Sequence, residues 1–423
     1  MIPRLACCAS LLALGGLATA AAPSVSFHKD IEPILQDRCQ QCHRPGEVGP
    51  MALMTYEQAR PWAKAIKSAV IQRKMPPWPI NPHFGKFSNG RSLTAEQIDL
   101  LAAWVDSGAP EGNPADAPRP RTWVEGWNIP QPDAILEMPT AFDMPASGRV
   151  EYQYIVIPTG FTEDKWIQMA EVRPSDRSIT HHAQIFIREP GSKWLAGQKP
   201  GVPLGVANGS GMGSEILTIY TPGMVPDVYK PGTAKLIPAG SDLVFQMHYT
   251  ATGKPGHDRT RLGLVFAKEP PKERVFTMYG VNLRIAIPPG DPSYKAEAII
   301  PITHEMTMLT LFPHMHLRGK AFQYDLIYPN GETETLLKVD NWSLNWQLSY
   351  KLAQPIELKP GMKVKATAWW DNSPNNPANP DPTKKVTWGE QSWEEMLVGF
   401  FDAAVDPAAV PHATVAVNDV AGR

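Results

Sequence analysis

Short apolar runs separated by turn-forming residues fill the chain beyond residue 122, and they constrain its fold more than any other feature. The runs are YQYIVI (152–157), AQIFIR (183–188), DLVFQMHYT (242–250), LGLVFA (262–267), MTMLTLF (306–312), QYDLIY (323–328) and VKATAWW (364–370). Gly, Pro, Asn and Asp punctuate these runs, a pattern typical of antiparallel sandwiches and jelly rolls. Because about 300 residues exceed one small sandwich, we expect two all-β jelly-roll sandwiches in tandem, divided near residues 270–281.

The first 22 residues have the pattern of a secretory signal peptide. Arg4 supplies an early positive charge, a short apolar stretch follows, and residues 18–20 form an A-x-A cleavage site. Cys7 and Cys8 lie within this segment and would be removed with it. No other long apolar stretch follows, so we expect a periplasmic or secreted protein with no membrane span.

Charge and cysteine content argue against two further classes of protein. The formal net charge is −2, which gives no basis for a nucleic-acid partner or a polybasic membrane patch. After the signal peptide only Cys39 and Cys42 remain, too few for a disulfide scaffold in an exported chain of this size.

Residues 39–43 read C-Q-Q-C-H, which is the attachment motif of c-type haem. In this motif both thiols add to haem vinyl groups and the histidine is an axial iron ligand, so the residues concerned are Cys39, Cys42 and His43. A redox C-x-x-C pair usually lacks the histidine, and a zinc site would need a second cysteine pair. We therefore expect one covalently attached haem c.

Two amphipathic segments accompany the haem motif. Segment 28–38 has apolar residues at helical spacing and runs into the motif, while segment 94–107 begins with a capping box of Thr94 and Gln97. Over residues 24–112 this order of elements resembles a class I cytochrome c, which implies a small all-α domain.

Met75 is the preferred sixth ligand of the haem iron. The two prolines that follow it hold an extended loop in which a thioether can be presented. Met51 and Met54 are alternatives. His28 and His83 are weaker alternatives, better explained as surface or packing residues.

Residues 109–122, rich in Pro, Ala, Gly and charge, are typical of a linker. The expected division of the chain is signal peptide 1–22, cytochrome c domain 23–112, linker 113–124, first jelly roll 125–275 and second jelly roll 276–423.

Five histidines lie in three strand-like contexts. His314 and His316 are two apart in FPHMHLRG, and such residues of a strand share a face and can bind one metal ion. His181 and His182 are adjacent, so both reach one ion only at a strand end or bulge. His248 lies within another apolar strand. One histidine alone is more often structural, but unpaired imidazoles in apolar strands are costly, and metal binding explains all five.

This order of motifs resembles the copper type II, ascorbate-dependent monooxygenases, which include peptidylglycine alpha-hydroxylating and dopamine beta-monooxygenase. The resemblance covers about residues 125–405 and implies two jelly-roll domains, each holding one copper ion, on either side of a solvent-filled cleft. The implied ligands are His181, His182 and His248 for the electron-transfer copper, and His314, His316 and Met396 for the catalytic, oxygen-activating copper. Met396 follows an acidic pair as the family pattern requires, and a thioether suits a copper ion that cycles through Cu(I).

The chain departs from the family in two respects. Its catalytic region has no cysteine, whereas the animal enzymes carry many disulfides. Phe312, Val398 and Phe400 occupy positions where the peptide-amidating enzyme binds a substrate carboxylate with polar residues. A smaller or more hydrophobic substrate is therefore expected.

The resemblance implies hydroxylation of a C–H bond of a small-molecule substrate by O₂. The haem would relay electrons from an ascorbate-like reductant or another redox protein. Two alternatives stay open at this point: an exported copper and haem protein that only transfers electrons, and an oxidase or peroxidase that reacts at the haem.

Overall fold

The structure is a computed structural model that describes residues 25–205 and 215–409, together with the backbone of 418–419. The expected signal peptide, with Cys7 and Cys8, lies outside the described residues. The α-helices are α1 (Glu32–Arg38), α2 (Tyr56–Ala59), α3 (Ala63–Ile71) and α4 (Ala95–Asp106). Shorter helical turns are Phe27–Ile31, which leads into α1, Arg60–Trp62, Pro114–Asp116 and Leu344–Trp346.

Helix α4 begins and ends as its sequence predicts. The Thr94 side chain accepts a hydrogen bond from the backbone N–H of Gln97, and the Gln97 side chain accepts one from the backbone N–H of Thr94. Gly108 follows the helix with φ +93°, a conformation that favours glycine. The predicted helices at 28–38 and 94–107 are thus confirmed. Among the described residues, no helix is both long and apolar enough to cross a membrane.

The N-terminal region does not form the expected all-α domain. Between α3 and α4 the chain runs extended along the C-terminal part of the molecule, where Ile80 bridges Val339 and Phe87 bridges Leu352. Trp78 belongs to the buried core of that part, and the longest described helix has only 12 residues. The prediction of a cytochrome-like all-α domain is therefore wrong, because the segment that should close such a domain packs on a β-sheet instead.

Strands are the main regular structure of the remaining body. The strands of its first half are β1 (Ala134–Glu137), β2 (Phe142–Met144), β3 (Gln153–Pro158), β4 (Lys165–Arg173), β5 (Thr180–Arg188), β6 (Glu215–Tyr220), β7 (Asp227–Val228), β8 (Thr233–Ile237), β9 (Asp242–Tyr249), β10 (Gly256–Asp258) and β11 (Arg261–Phe266). Those of its second half are β12 (Glu273–Val281), β13 (Ala286–Ile287), β14 (Tyr294–Pro301), β15 (Met306–His314), β16 (Gly319–Ile327), β17 (Thr333–Val339), β18 (Tyr350–Leu358), β19 (Lys363–Trp370), β20 (Val386–Thr387), β21 (Val398–Val405) and β22 (Asn418–Asp419). All seven apolar runs identified in the sequence coincide with strands.

One ten-stranded sheet runs through both halves in the order β1-β11-β4-β8-β12-β21-β15-β18, with β7 beside β4 and β22 beside β12. Its halves join where β8 and β12 pair in parallel at Thr233 and Ala234. Two four-stranded sheets, β3-β9-β5-β6 and β14-β19-β16-β17, complete the main layers, and the pairs β2–β10 and β13–β20 are small. The expected fold class is therefore wrong for the body as well, since the two halves share a sheet and are not two independent jelly rolls. The domain boundaries stay predictions.

Each four-stranded sheet packs on one end of the long sheet. In the first half, Ala183 and Phe245 share a buried core with Ile167 and Leu264. The opposite face of β3-β9-β5-β6 meets the second half in another apolar cluster, whose members from both halves include Tyr154, Phe186, Val244, Tyr279, Phe312 and Phe400. The junction between the halves is thus a buried apolar layer, and the histidines lie along it.

Candidate metal centre

Three of the predicted ligands, His181, His182 and His248, come together in the first half. His182 pairs directly with His248 across β5 and β9, and an irregularity between Thr180 and His182 shifts the strand register there. That shift re-aims His181, as expected for a bulge. One ligand atom from each imidazole lies within 4.8 Å of the others, so the cluster can hold one metal ion.

The environment of this cluster favours neutral, metal-competent imidazoles. All three side chains are buried. Burial lowers the pKa of His181 to about 4 and holds the pKa values of His182 and His248 well below 6.5. Within the described part of the chain, His181 Nε2 and His248 Nδ1 are buried without a hydrogen-bond partner. Buried polar atoms normally have partners, so these two nitrogens are available to bind a metal ion.

The second group begins at the end of β15. His314 and His316 pack edge to face with ring centroids 5.2 Å apart. His314 Nδ1–H donates to Gln347 Oε1 at 2.6 Å, which leaves Nε2 available. His316 is fully buried, and both of its ring nitrogens lack hydrogen-bond partners among the described residues. Burial lowers the pKa of His314 to about 4 and that of His316 further below its ordinary value.

Met396 reaches the same place from the segment before β21. It lines a cavity of about 60 Å³ together with His314 and His182, so ligands of both groups border one space. The other lining residues are Tyr152, Gln184, Phe186, Ile216, Gln246, Tyr279, Val281, Trp388, Glu390, Val398 and Phe400. The predicted apolar character of Val398 and Phe400 thus applies to the cavity wall, and Phe312 stacks on Phe400 at 5.8 Å.

A buried carboxylate that the sequence did not reveal ties the second group together. Glu395 accepts hydrogen bonds from the backbone N–H groups of His316, at 3.0 Å, and Arg318, at 2.6 Å. It also accepts one from Trp370 Nε1 at 2.9 Å. Burial raises its pKa to about 7. In the sequence the acidic pair served only to locate Met396, so the role of Glu395 was missed.

Tyr152 is a second residue that sequence reasoning missed. Its ring lies 5.2 Å from that of His182 and 4.6 Å from that of His248. Its hydroxyl is buried and, within the described residues, has no hydrogen-bond partner. The signal in the sequence was its place at the start of the strand-like run 152–157.

The haem motif follows directly on α1. Cys39 and Cys42 are both free thiols, and burial raises the pKa of Cys39 to about 12. The backbone N–H of His43 donates to Cys39 O at 2.9 Å. His43 Nδ1–H donates to Met51 O at 3.1 Å, which fixes the tautomer and leaves Nε2 free, as axial ligation requires. The two thiols and one nitrogen of the His43 ring are therefore available for the predicted haem.

The candidates for the sixth ligand of the haem iron lie in several different places. Met75 lines a cavity of about 520 Å³ beside the helices, whereas Cys42 lines a separate cavity. His28 is occupied by Glu32, whose carboxylate lies 2.8 Å from its Nδ1 and raises its pKa. His83 is exposed. The structure therefore does not bring Met75 and the motif into one cavity.

The chain matches no family model and no curated protein. It has weak similarity to the structure of infectious bursal disease virus Gx strain, with 9% identity and a TM-score of 0.17 over 68% of this chain and 85% of that chain. The structure of the Gt strain of the same virus has 10% identity and a TM-score of 0.15 over 67% of this chain and 76% of that chain. The structure of dimeric latent PorU from Porphyromonas gingivalis has 9% identity and a TM-score of 0.14 over 62% of this chain and 25% of that chain. Such low TM-scores support no conclusion about this chain.

Proposed function

We propose that this chain is an exported copper-dependent monooxygenase that hydroxylates a C–H bond of a small apolar substrate with O₂. A covalent haem would pass electrons to its two copper sites. The observation that carries the proposal is the buried cluster of His181, His182 and His248, whose ligand atoms lie within 4.8 Å of one another. Two of its ring nitrogens have no partner among the described residues.

The residues present suit copper at both groups. The first copper ion would be held by His181, His182 and His248, and the second by His314, His316 and Met396. Imidazole binds copper and zinc alike, but a thioether favours Cu(I) over zinc. The haem would be held by Cys39, Cys42 and His43. Met75, the sixth ligand preferred from the sequence, lines a different cavity from Cys42.

Bound copper would supply one-electron chemistry and activate O₂, while bound haem would store and pass on single electrons. The chain itself keeps the imidazoles neutral by burying them. Gln347 fixes the tautomer of His314, and Glu395 holds the backbone around His316. These contacts position ligands without taking part in bond making.

The wall of the cavity beside Met396 supports an apolar substrate. Its wall includes Phe186, Val281, Val398 and Phe400, which offer dispersion contacts and no charge. Its one carboxylate, on Glu390, accepts a hydrogen bond from the Tyr154 hydroxyl at 3.1 Å. Burial raises the pKa of Glu390. Such a site selects substrates mainly by shape and apolar surface.

Metal and haem analysis of the exported protein, followed by O₂ uptake with a panel of small apolar substrates, tests this function. We expect two copper ions, one haem, and substrate-dependent O₂ consumption with a one-electron reductant. The variant His248→Ala should lose copper and activity. The matched control is His257→Ala, because His257 is exposed and, among the described residues, pairs only with Asp143. Copper and haem without O₂ consumption would instead identify a non-catalytic electron-transfer protein.

A further inference from the structure

The loop after the haem motif is fastened to the loop before the first histidine cluster. Glu47, four residues beyond His43, forms an ion pair with Arg177, four residues before His181. Glu47 also pairs with Arg44 at 3.0 Å. The three charged side chains are only 10–14% exposed. Ion pairs with so little exposure hold geometry better than surface pairs, since removing one partner leaves a poorly solvated charge.

A cavity of about 220 Å³ lies at this contact. Cys42, Glu47 and Arg177 line it, and so does Tyr220 of β6. Tyr220 pairs with Ala183, the residue next to His182. Its hydroxyl is buried and has no hydrogen-bond partner in the part of the chain that the structure describes. A thiol that would carry haem thus shares a cavity with a residue one strand away from the histidine cluster.

Two further contacts hold the same orientation. Arg91 donates from Nη1 to Gly223 O, just beyond β6, at 2.8 Å. The Arg44 guanidinium lies over the Trp123 ring at 4.2 Å. The helical region therefore meets the first half of the body along one face. Of these anchors, Arg177 alone stands in the segment that leads directly into His181.

We propose that Arg177 is the positioning residue that docks the haem-bearing loop beside β5, and that this docking makes the His181/His182/His248 site the entry point for electrons from the haem. This inference rests on the proposed copper and haem content. The one-electron transfer is balanced by oxidation of ferrous to ferric iron and reduction of cupric to cuprous copper, and it needs no proton.

The test combines two measurements on the full chain. In the copper- and haem-loaded protein under anaerobic conditions, the haem is reduced by a photogenerated reductant, and its reoxidation by cupric copper is followed by absorbance. Amide hydrogen exchange of residues 43–49 and 177–183 is measured separately, in protein without added copper. The variants are Arg177→Gln, the conservative Arg177→Lys, and the matched control Lys165→Gln, which removes an ion pair with Glu163 at the other end of β4.

We expect Arg177→Gln to slow reoxidation about tenfold if the docked fraction falls to about one tenth, and to increase exchange in both loops. Arg177→Lys should recover most of the rate, and Lys165→Gln should match the unmodified chain. The fast reoxidation of the haem that we expect in the unmodified chain should vanish in His248→Ala, because this variant lacks the first copper site. A fast phase that persists in His248→Ala, or a rate and an exchange pattern unchanged by Arg177→Gln, would overturn the inference. Absence of copper from the unmodified protein would refute the proposed function, while the exchange measurement would still decide the docking.

Discussion

The two histidine groups are held by different parts of the protein. In the first, neighbouring strands do the positioning, because β5 and β9 pair His182 with His248 directly. In the second, His314 ends a strand, while His316 and Met396 lie in connecting segments. Hydrogen bonds that the side chains of Gln347 and Glu395 accept supply the order that strand pairing does not. Sheet register therefore builds one site, and a supporting layer of side chains builds the other.

This difference predicts that loss of a ligand empties only the affected site. We expect His248→Ala to weaken the first site by more than about a hundredfold, because even residues that merely support a ligand cost 10- to 100-fold in metal affinity. The second site should keep its affinity, since none of its ligands lies on β5 or β9. Copper titration followed by calorimetry or electron paramagnetic resonance checks both statements.

His257→Ala is the control for this experiment. His257 is exposed on β10 and contacts Asp143, so its removal should leave both affinities unchanged. Equal loss of copper from both sites in His248→Ala would contradict separate sites and would indicate one shared cluster.

A pH titration of metal-free protein compares the burial of the two groups. His181 and His314 both have a pKa of about 4, because burial disfavours the charged ring, against 6.5 in an unfolded chain. The unfolded chain then binds more protons between these values. Stability is therefore fully present above about pH 6.5 and is lost as pH falls toward 4, by up to about 3 kcal/mol for each histidine.

Denaturant unfolding across this pH range measures the effect. His181→Gln and His314→Gln should each flatten the curve by a similar amount. If only one of the two substitutions flattens the curve, only that histidine is buried enough to resist protonation. The two groups would then differ in burial.

The sequence revealed the elements and the histidines because both depend on local patterns. Alternating runs predicted strands such as β3 and β9, and the Thr94 capping box predicted the start of α4. The fold class failed because it depends on long-range pairing. Nothing local at Thr233 indicates that β8 continues the sheet into β12, and nothing near Trp78 indicates that it leaves the helices.

The same limit applies to the supporting residues of the second site. Gln347 lies 33 residues from His314, and Glu395 lies 79 residues from His316. Contacts between residues so far apart along the chain leave no local pattern in a single sequence. The candidate ligands were proposed from a resemblance to a family pattern and stay predictions, but the contacts that orient their side chains required the folded chain.

Glu395→Gln tests whether side chains hold the second site. The amide keeps one acceptor oxygen, but its NH₂ group faces an N–H donor that bonds to the carboxylate in the unmodified protein. We expect a loss of about 1–3 kcal/mol in unfolding free energy, the usual cost of leaving buried donors unsatisfied. Copper affinity should fall at the second site only. Chemical denaturation and copper titration measure the two effects.

Glu394→Gln is the matched control, because the neighbouring carboxylate accepts a hydrogen bond from Gln391 N and makes no contact with the His316 backbone in the described structure. It should cost less stability and leave the second site intact. Equal effects of the two substitutions would mean that Glu395 contributes only charge and not geometry.

Gln347→Leu is the mildest change, because it keeps the volume of the side chain and removes the hydrogen bonds with His314 Nδ1 and Leu344 O. The His314 ring then loses the acceptor that fixes its tautomer, so we expect a fall of about tenfold in second-site copper affinity. First-site affinity should not change, because its imidazoles are aligned by strand register. Gln323→Leu, which removes an amide bonded to Asp325, controls for loss of a glutamine elsewhere. An unchanged copper affinity of the second site in Gln347→Leu would mean that packing alone orients His314. The second site would then not depend on the hydrogen bond to Gln347.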